Sequence, residues 1–288
     1  MVKVFEGTPE QYYMDGYLKD NLDTAKRIVR EDWDVFGVFD GTEGAGKSVL
    51  AQQVAKYCDP TLDLSRIVFT PTQFKKAVRE AKKYQAIIYD EAYGGLGSRG
   101  TMTQVNMTIV KMLTEIRQKN LFLFIVLPSI FDLDKYAAIW RSRFLIHIYA
   151  DRDFKRGYFA FYNAEQKKLL YLLGKKYYDY NKPRPAFVSN FPNHYTVDEL
   201  AYKKKKIDSS LNDIDDNRIM VIKTARELRK SVAISLTNTD LRLSDKQLAA
   251  ILDISVRSIN RYLQNYGITD EKELLEEIPL EIAAKQSK

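Results

Sequence analysis

The sequence predicts an α/β fold, in which a mostly parallel sheet carries helices on both faces and an antiparallel extension, followed by a small all-α helix-turn-helix domain. Three observations predict it. Apolar strand-like runs around Val35–Phe39, Ile87–Tyr89 and Leu121–Leu127 alternate with segments of helical periodicity. The first run breaks into a glycine-rich turn ending in Gly-Lys-Ser, the sequence of a strand that feeds a helix around a bound anion. A lysine-rich polar stretch then separates this body from a helical pattern near the carboxyl end. The boundaries drawn from composition are 1–200 for the α/β domain, 201–217 for a basic and polar linker and 218–288 for the helical domain.

Taken in order, the first 34 residues contain one amphipathic helix, Gly16 to Arg30, with Leu18, Leu22, Ala25, Ile28 and Val29 on its apolar face. Such a helix either packs on the sheet or reaches a neighbouring subunit. Val35 to Asp40 reads as a buried strand, and Gly41-Thr42-Glu43-Gly44-Ala45-Gly46-Lys47-Ser48 matches G-x-x-x-x-G-K-[ST], a P-loop, with a helical pattern after it. The glycines let the backbone turn tightly and aim its N–H groups at an anion, at the positive end of the next helix. Lys47 is placed to reach the β- and γ-phosphates and Ser48 to ligate a cation, so the expected ligands are ATP and Mg²⁺.

Asp59-Pro60-Thr61 ends that helix, Arg66 to Phe69 reads as the second strand, and a helix through Phe74, Ala77, Val78 and Ala81 follows. Gln85 to Glu91 is an apolar strand ending in two carboxylates, the form of a Walker B motif. Asp90 would hold Mg²⁺ through its water shell and Glu91 would polarise the attacking water. The glycine-rich stretch Tyr93 to Thr101 then either couples nucleotide state to a substrate or simply connects. A long amphipathic helix (Met107, Val110, Met112, Leu113, Ile116) leads to the strand Leu121 to Leu127, apolar enough to be covered on both faces.

The segment Glu115 to Asn120, that strand, Pro128-Ser129, Leu133 to Tyr136 and Trp140-Arg141-Ser142-Arg143-Phe144 resemble the additional-strand P-loop ATPases of the FtsK/HerA lineage. That lineage includes DNA pumps, conjugative coupling proteins, viral packaging ATPases and Zot-like phage proteins. The resemblance spans roughly residues 35–150 at the level of motifs. It implies Arg117 near a subunit contact, Ser129 as the polar sensor, and Arg141 or Arg143 as a finger reaching the γ-phosphate of a neighbouring subunit in a homo-oligomeric ring, with a hexamer among the ring sizes. One departure stands out: Leu127-Pro128 replaces the Thr-Gln pair usual at the strand end.

Phe144 to Tyr149 reads as a fifth strand, and Asp153 to Tyr162 with Lys168 to Tyr178 as an antiparallel extension rich in tyrosine. Asn181 to Pro185 starts an irregular arm reaching His194, whose aromatic and basic residues either pack or stack on nucleic acid. Beyond the lysine run Lys203 to Lys206, Leu243 to Leu263 resembles a helix-turn-helix, with Ser244 as cap and Leu248, Ala249, Leu252, Ile254, Ile259 and Leu263 as its small core. Lys246, Ser255, Arg257, Ser258 and Arg261 are its candidate DNA contacts. A trihelical protein-binding domain would use the same core.

Composition narrows the function. In 288 residues carrying a net charge of +7, Cys58 is the single cysteine and His147 and His194 are the two histidines, which excludes a disulfide framework and a Cys/His zinc site within one chain. Both histidines are expected to be structural. No targeting segment is visible and the longest apolar run is too short to span a bilayer, so a cytoplasmic protein is expected, in the host cytoplasm if the chain is viral. The reading is an ATP-hydrolysing, DNA-associated motor for translocation, packaging or transfer. The alternatives are a replication initiator or regulator at a specific DNA site, and an export ATPase whose last domain binds protein.

Overall fold

The computed structural model describes residues 1–90 and 99–209, with backbone alone for 99–104. Glu91 and the candidate DNA contacts Lys246, Ser255, Arg257, Ser258 and Arg261 lie outside the described residues. So does the pattern at 218–288.

A short antiparallel ribbon, β1 (Val2–Val4) with β2 (Tyr12–Met14), precedes α1 (Gly16–Arg30). Asp15 caps α1 by accepting the Leu18 N–H at 2.9 Å, satisfying one donor that a helix start leaves orphaned. Leu18, Leu22, Ala25 and Val29 are buried, spaced to form one stripe. The stripe packs against α2 (Lys47–Cys58), so α1 belongs to the body of the domain.

The sheet is built from β3 (Val35–Gly41), β4 (Ile67–Val68), β5 (Ala86–Tyr89), β6 (Phe122–Val126), β7 (Phe144–Tyr149), β8 (Tyr158–Tyr162) and β9 (Phe187–Asn190) in the order β4-β5-β6-β3-β7-β8-β9. The first five in that order run parallel. β6 lies between the phosphate-loop strand β3 and the strand β5 that precedes Asp90. Successive side chains of β3 enter opposite cores, Val35 and Phe39 on the α1/α2 side, Phe36 and Val38 on the side of α3 (Pro71–Glu80) and α4 (Arg99–Gln118). Every residue of β3 is buried, which is why its sequence reads as an unbroken apolar run. Among the described residues no helix is long and apolar enough to cross a membrane.

The antiparallel extension exists, with different members from those expected. β8 pairs with β7 and β9 with β8, but 168–178 supplies no strand. Its first half belongs to α5 (Ala164–Gly174). Asn163 accepts the Gln166 N–H while the Gln166 side chain accepts the Asn163 N–H, a capping box that starts the helix. Lys167, Leu170, Tyr171 and Gly174 then face inward at helical spacing, and Lys167, wholly buried, donates to the carbonyls of Ala138 and Ile139. The third antiparallel strand comes from the arm read as irregular. Residues 199–209 form a helix, α6, with Tyr202 and Ser209 buried.

Candidate nucleotide-binding site

Parallel strands place their following loops at one edge of the sheet, and the turn after β3 and the end of β5 meet there. Gly41 is the hinge of the turn. Its φ of 123° lies in the left-handed region, and a Cβ there would sit 1.9 Å from the Ile148 carbonyl oxygen, so the strand-to-loop exit beside β7 admits only glycine. Gly46, at φ 105°, delivers the chain into α2 as its N-cap.

The Lys47 ammonium folds back over the loop, donating to the carbonyls of Gly41 at 2.8 Å and Thr42 at 3.1 Å. Burial pushes its pKa down, with the carboxylates of Asp40, Glu43 and Asp90 opposing that shift. Ser48 Oγ donates to Asp90 Oδ1 at 3.0 Å, joining the first residues of α2 to the end of β5. Asp90 is 1% exposed, and its second oxygen accepts the Tyr202 hydroxyl from α6. Two hard oxygen donors side by side at the phosphate loop fit Mg²⁺, which keeps most of its water and takes few protein ligands beside phosphate. A cavity of about 640 Å³ opens over the loop, lined by Lys47, Ser48, Asp90, Arg156, Tyr202 and Lys206 among others.

The arm between β9 and α6 holds α2 in place. Gln53 Nε2 donates to the carbonyls of Pro192 at 2.8 Å and His194 at 2.9 Å, the Phe191 ring lies against Gly46, and His194 stacks on Tyr12. Lys205 Nζ reaches the carbonyls of Leu64 and Ile67, both at 2.7 Å. Tyr202 is thereby carried onto the Asp90 carboxylate.

Behind the loop lies a polar cluster centred on Asp40, which is fully buried. Its carboxylate accepts the Ile130 N–H at 2.7 Å and the Tyr180 hydroxyl at 2.5 Å, and meets His147 Nδ1 at 2.8 Å. His147 stacks on Tyr180, and Ser129 Oγ lies 2.9 Å from the Tyr180 hydroxyl. Ser129, the expected sensor, is thus 9% exposed and engaged with Tyr180 and the Phe131 N–H.

Arg141 and Arg143 precede β7 and so lie at the amino edge of the parallel strands, about 20 Å from the phosphate loop at the rise of an extended strand. Arg141 Nη2 pairs with Asp34 at 2.7 Å and donates to the Leu113 carbonyl at 2.9 Å. Arg143 stacks on the Trp33 ring at 4.8 Å. Arg117 is exposed on α4. Within one chain none of the three joins the site. Because the Asp34 side chain is 4% exposed, Arg141→Ala is expected to strand a buried carboxylate and destabilise the fold by about 3 kcal/mol. Chemical denaturation checks this, and a variant with wild-type stability and slow turnover would favour the finger reading.

The sequence did not mark Asp40, Tyr180, Tyr202 or Arg156 as site residues. Asp40 had one signal, a carboxylate at the end of an otherwise apolar strand. The other three arrive by tertiary folding of loops and an arm.

No protein-family model matches the chain, and no curated protein matches it. Among solved structures it is similar to the N-terminal domain of zonular occludens toxin from Neisseria meningitidis, at 15% identity over 46% of this chain and 84% of that one, with a TM-score of 0.28. It is also similar to a DNA polymerase III gamma subunit-related protein from Thermotoga maritima, at 13% identity over 86% of this chain and 96% of that one, with a TM-score of 0.34. Similarity this low carries no functional argument, and the reading rests on the geometry.

Proposed function

We propose that this chain is a Mg²⁺-dependent ATPase that couples hydrolysis to DNA. The observation that carries the ATPase reading is the meeting of Ser48 and Asp90 at 3.0 Å beneath a phosphate loop that holds Lys47, at the carboxyl edge of a parallel sheet. In this reading the loop N–H groups and Lys47 hold the phosphates, Ser48 and Asp90 hold the cation, and Glu91 orients the attacking water. The bound cation would screen charge on the phosphates.

The DNA part rests on the helix-turn-helix pattern at 243–263 and on the resemblance to the FtsK/HerA lineage. One structural observation supports coupling: α6 bonds Asp90 through Tyr202 and precedes the C-terminal residues in the sequence, so a change at the cation site has a covalent route to them. ATP turnover should therefore rise with any duplex DNA, roughly independently of sequence. Stimulation by one sequence alone would favour an initiator or regulator, and no stimulation by any DNA would favour an export ATPase.

A further inference from the structure

One wall of the cavity over the phosphate loop comes from outside both nucleotide motifs, from the turn that joins β7 and β8. Asp151 builds this turn. Its Oδ1 accepts the N–H groups of Asp153 at 3.0 Å and Lys155 at 2.8 Å, and its own N–H donates to the Lys155 carbonyl at 3.0 Å. The exit is equally fixed. Gly157, at φ 93°, accepts the Phe191 N–H at 2.8 Å, and a Cβ on it would come within 2.9 Å of the Phe191 carbonyl oxygen.

Between these two anchors stands Arg156. Its Nη2 lies 4.0 Å from where a Cβ on Gly44 would sit, over the crown of the phosphate loop, and its side chain lines the same cavity as Lys47, Ser48 and Asp90. The side chain is exposed, and among the described residues it has neither an ion-pair nor a hydrogen-bond partner. An arginine without an ion-pair partner, beside a glycine-rich turn that feeds a helix N-terminus, is placed for an anionic ligand.

We propose that Arg156 is a phosphate-binding residue acting in cis, its guanidinium donating to oxygens of the terminal phosphates of a nucleoside triphosphate. This rests on the ATP reading above. Phosphate held by the loop N–H groups would keep oxygens free on the open side, which Arg156 borders. It is therefore most sensitive to the last phosphate, where charge is greatest, and it separates triphosphate from diphosphate. It also places an arginine at this site from the chain itself, where Arg141 and Arg143 are a strand length away.

The test uses full-length protein with Mg²⁺, titrated with ATP and with ADP. Arg156→Ala should weaken ATP binding about tenfold to a hundredfold, the range for losing a charge-assisted contact, and ADP binding less than about threefold. Arg156→Lys should recover only part of the loss, because an ammonium lacks the planar fork. Both variants should melt like wild type, since the side chain has no partner to lose. Equal losses for ATP and ADP, or ATP binding unchanged in Arg156→Ala, would overturn the assignment while leaving the ATP reading intact. Wild-type protein that binds neither nucleotide would overturn both.

Discussion

Lys47→Ala is expected to reduce ATP affinity by about 10²-fold or more, the scale for losing contacts between one ammonium and two phosphate groups. The reason lies in the geometry of the loop. The ammonium spans the carbonyls of Gly41 and Thr42, so it is already held over the space that phosphate would occupy and needs only to exchange those acceptors for phosphate oxygens. Burial lowers its pKa, and the three carboxylates around it favour the charged form that phosphate binding requires. Folding should be affected modestly: the carbonyl of exposed Thr42 can take water in place of the ammonium, while that of Gly41, a buried residue, loses a hydrogen-bond partner. Glu91→Gln should do the opposite, keeping ATP binding while turnover falls by about 10²- to 10⁴-fold, the range for removing a general base. Calorimetric titration and steady-state hydrolysis of both variants check the pair. Lys47→Ala with wild-type affinity would sink the phosphate-loop assignment.

The parts of this site that were legible in sequence are those that are local in the chain. The phosphate loop needs glycines and Lys47-Ser48 within eight residues, and the Walker B carboxylate needs only an apolar strand before it. The parts that were not legible depend on contacts across long separations. Tyr202 bonds Asp90 across 112 residues and Tyr180 bonds Asp40 across 140, and no periodicity announces either. The misread stretch 168–178 shows a different failure. Tyrosine and leucine suit a strand by propensity, but the Asn163 and Gln166 capping box and the inward stripe from Lys167 to Gly174 decide for a helix. Arg141 carries no sequence mark of whether it serves a ligand or a buried carboxylate, and within one chain its partner is Asp34.

Asp40 connects the phosphate loop to the rest of the domain, and Asp40→Ala is expected to cost about 3–6 kcal/mol of stability. The estimate comes from the groups it would orphan. The Ile130 N–H, the Tyr180 hydroxyl and His147 Nδ1 all converge on this one fully buried carboxylate; a buried polar group left unpaired costs about 1–3 kcal/mol, and the part-exposed His147 and Tyr180 add toward the lower end of that range because water can reach them. These partners come from the loop after β6, from the chain before β9 and from β7, so the carboxylate ties three segments to β3 one residue before the hinge Gly41. Asp40→Asn should cost less. An amide oxygen can still accept the Ile130 N–H, and the amide NH₂ can donate to His147 if the ring carries its proton on Nε2 instead of Nδ1. ATP affinity should follow the same order, falling most in Asp40→Ala, because a loop whose base has loosened no longer holds its N–H groups on one anion. Denaturant unfolding of both variants, with ATP titration under conditions where each remains folded, gives the comparison. If Asp40→Ala unfolds within about 1 kcal/mol of wild type, the cluster does not brace the loop, and the lost hydrogen bonds are being replaced by water.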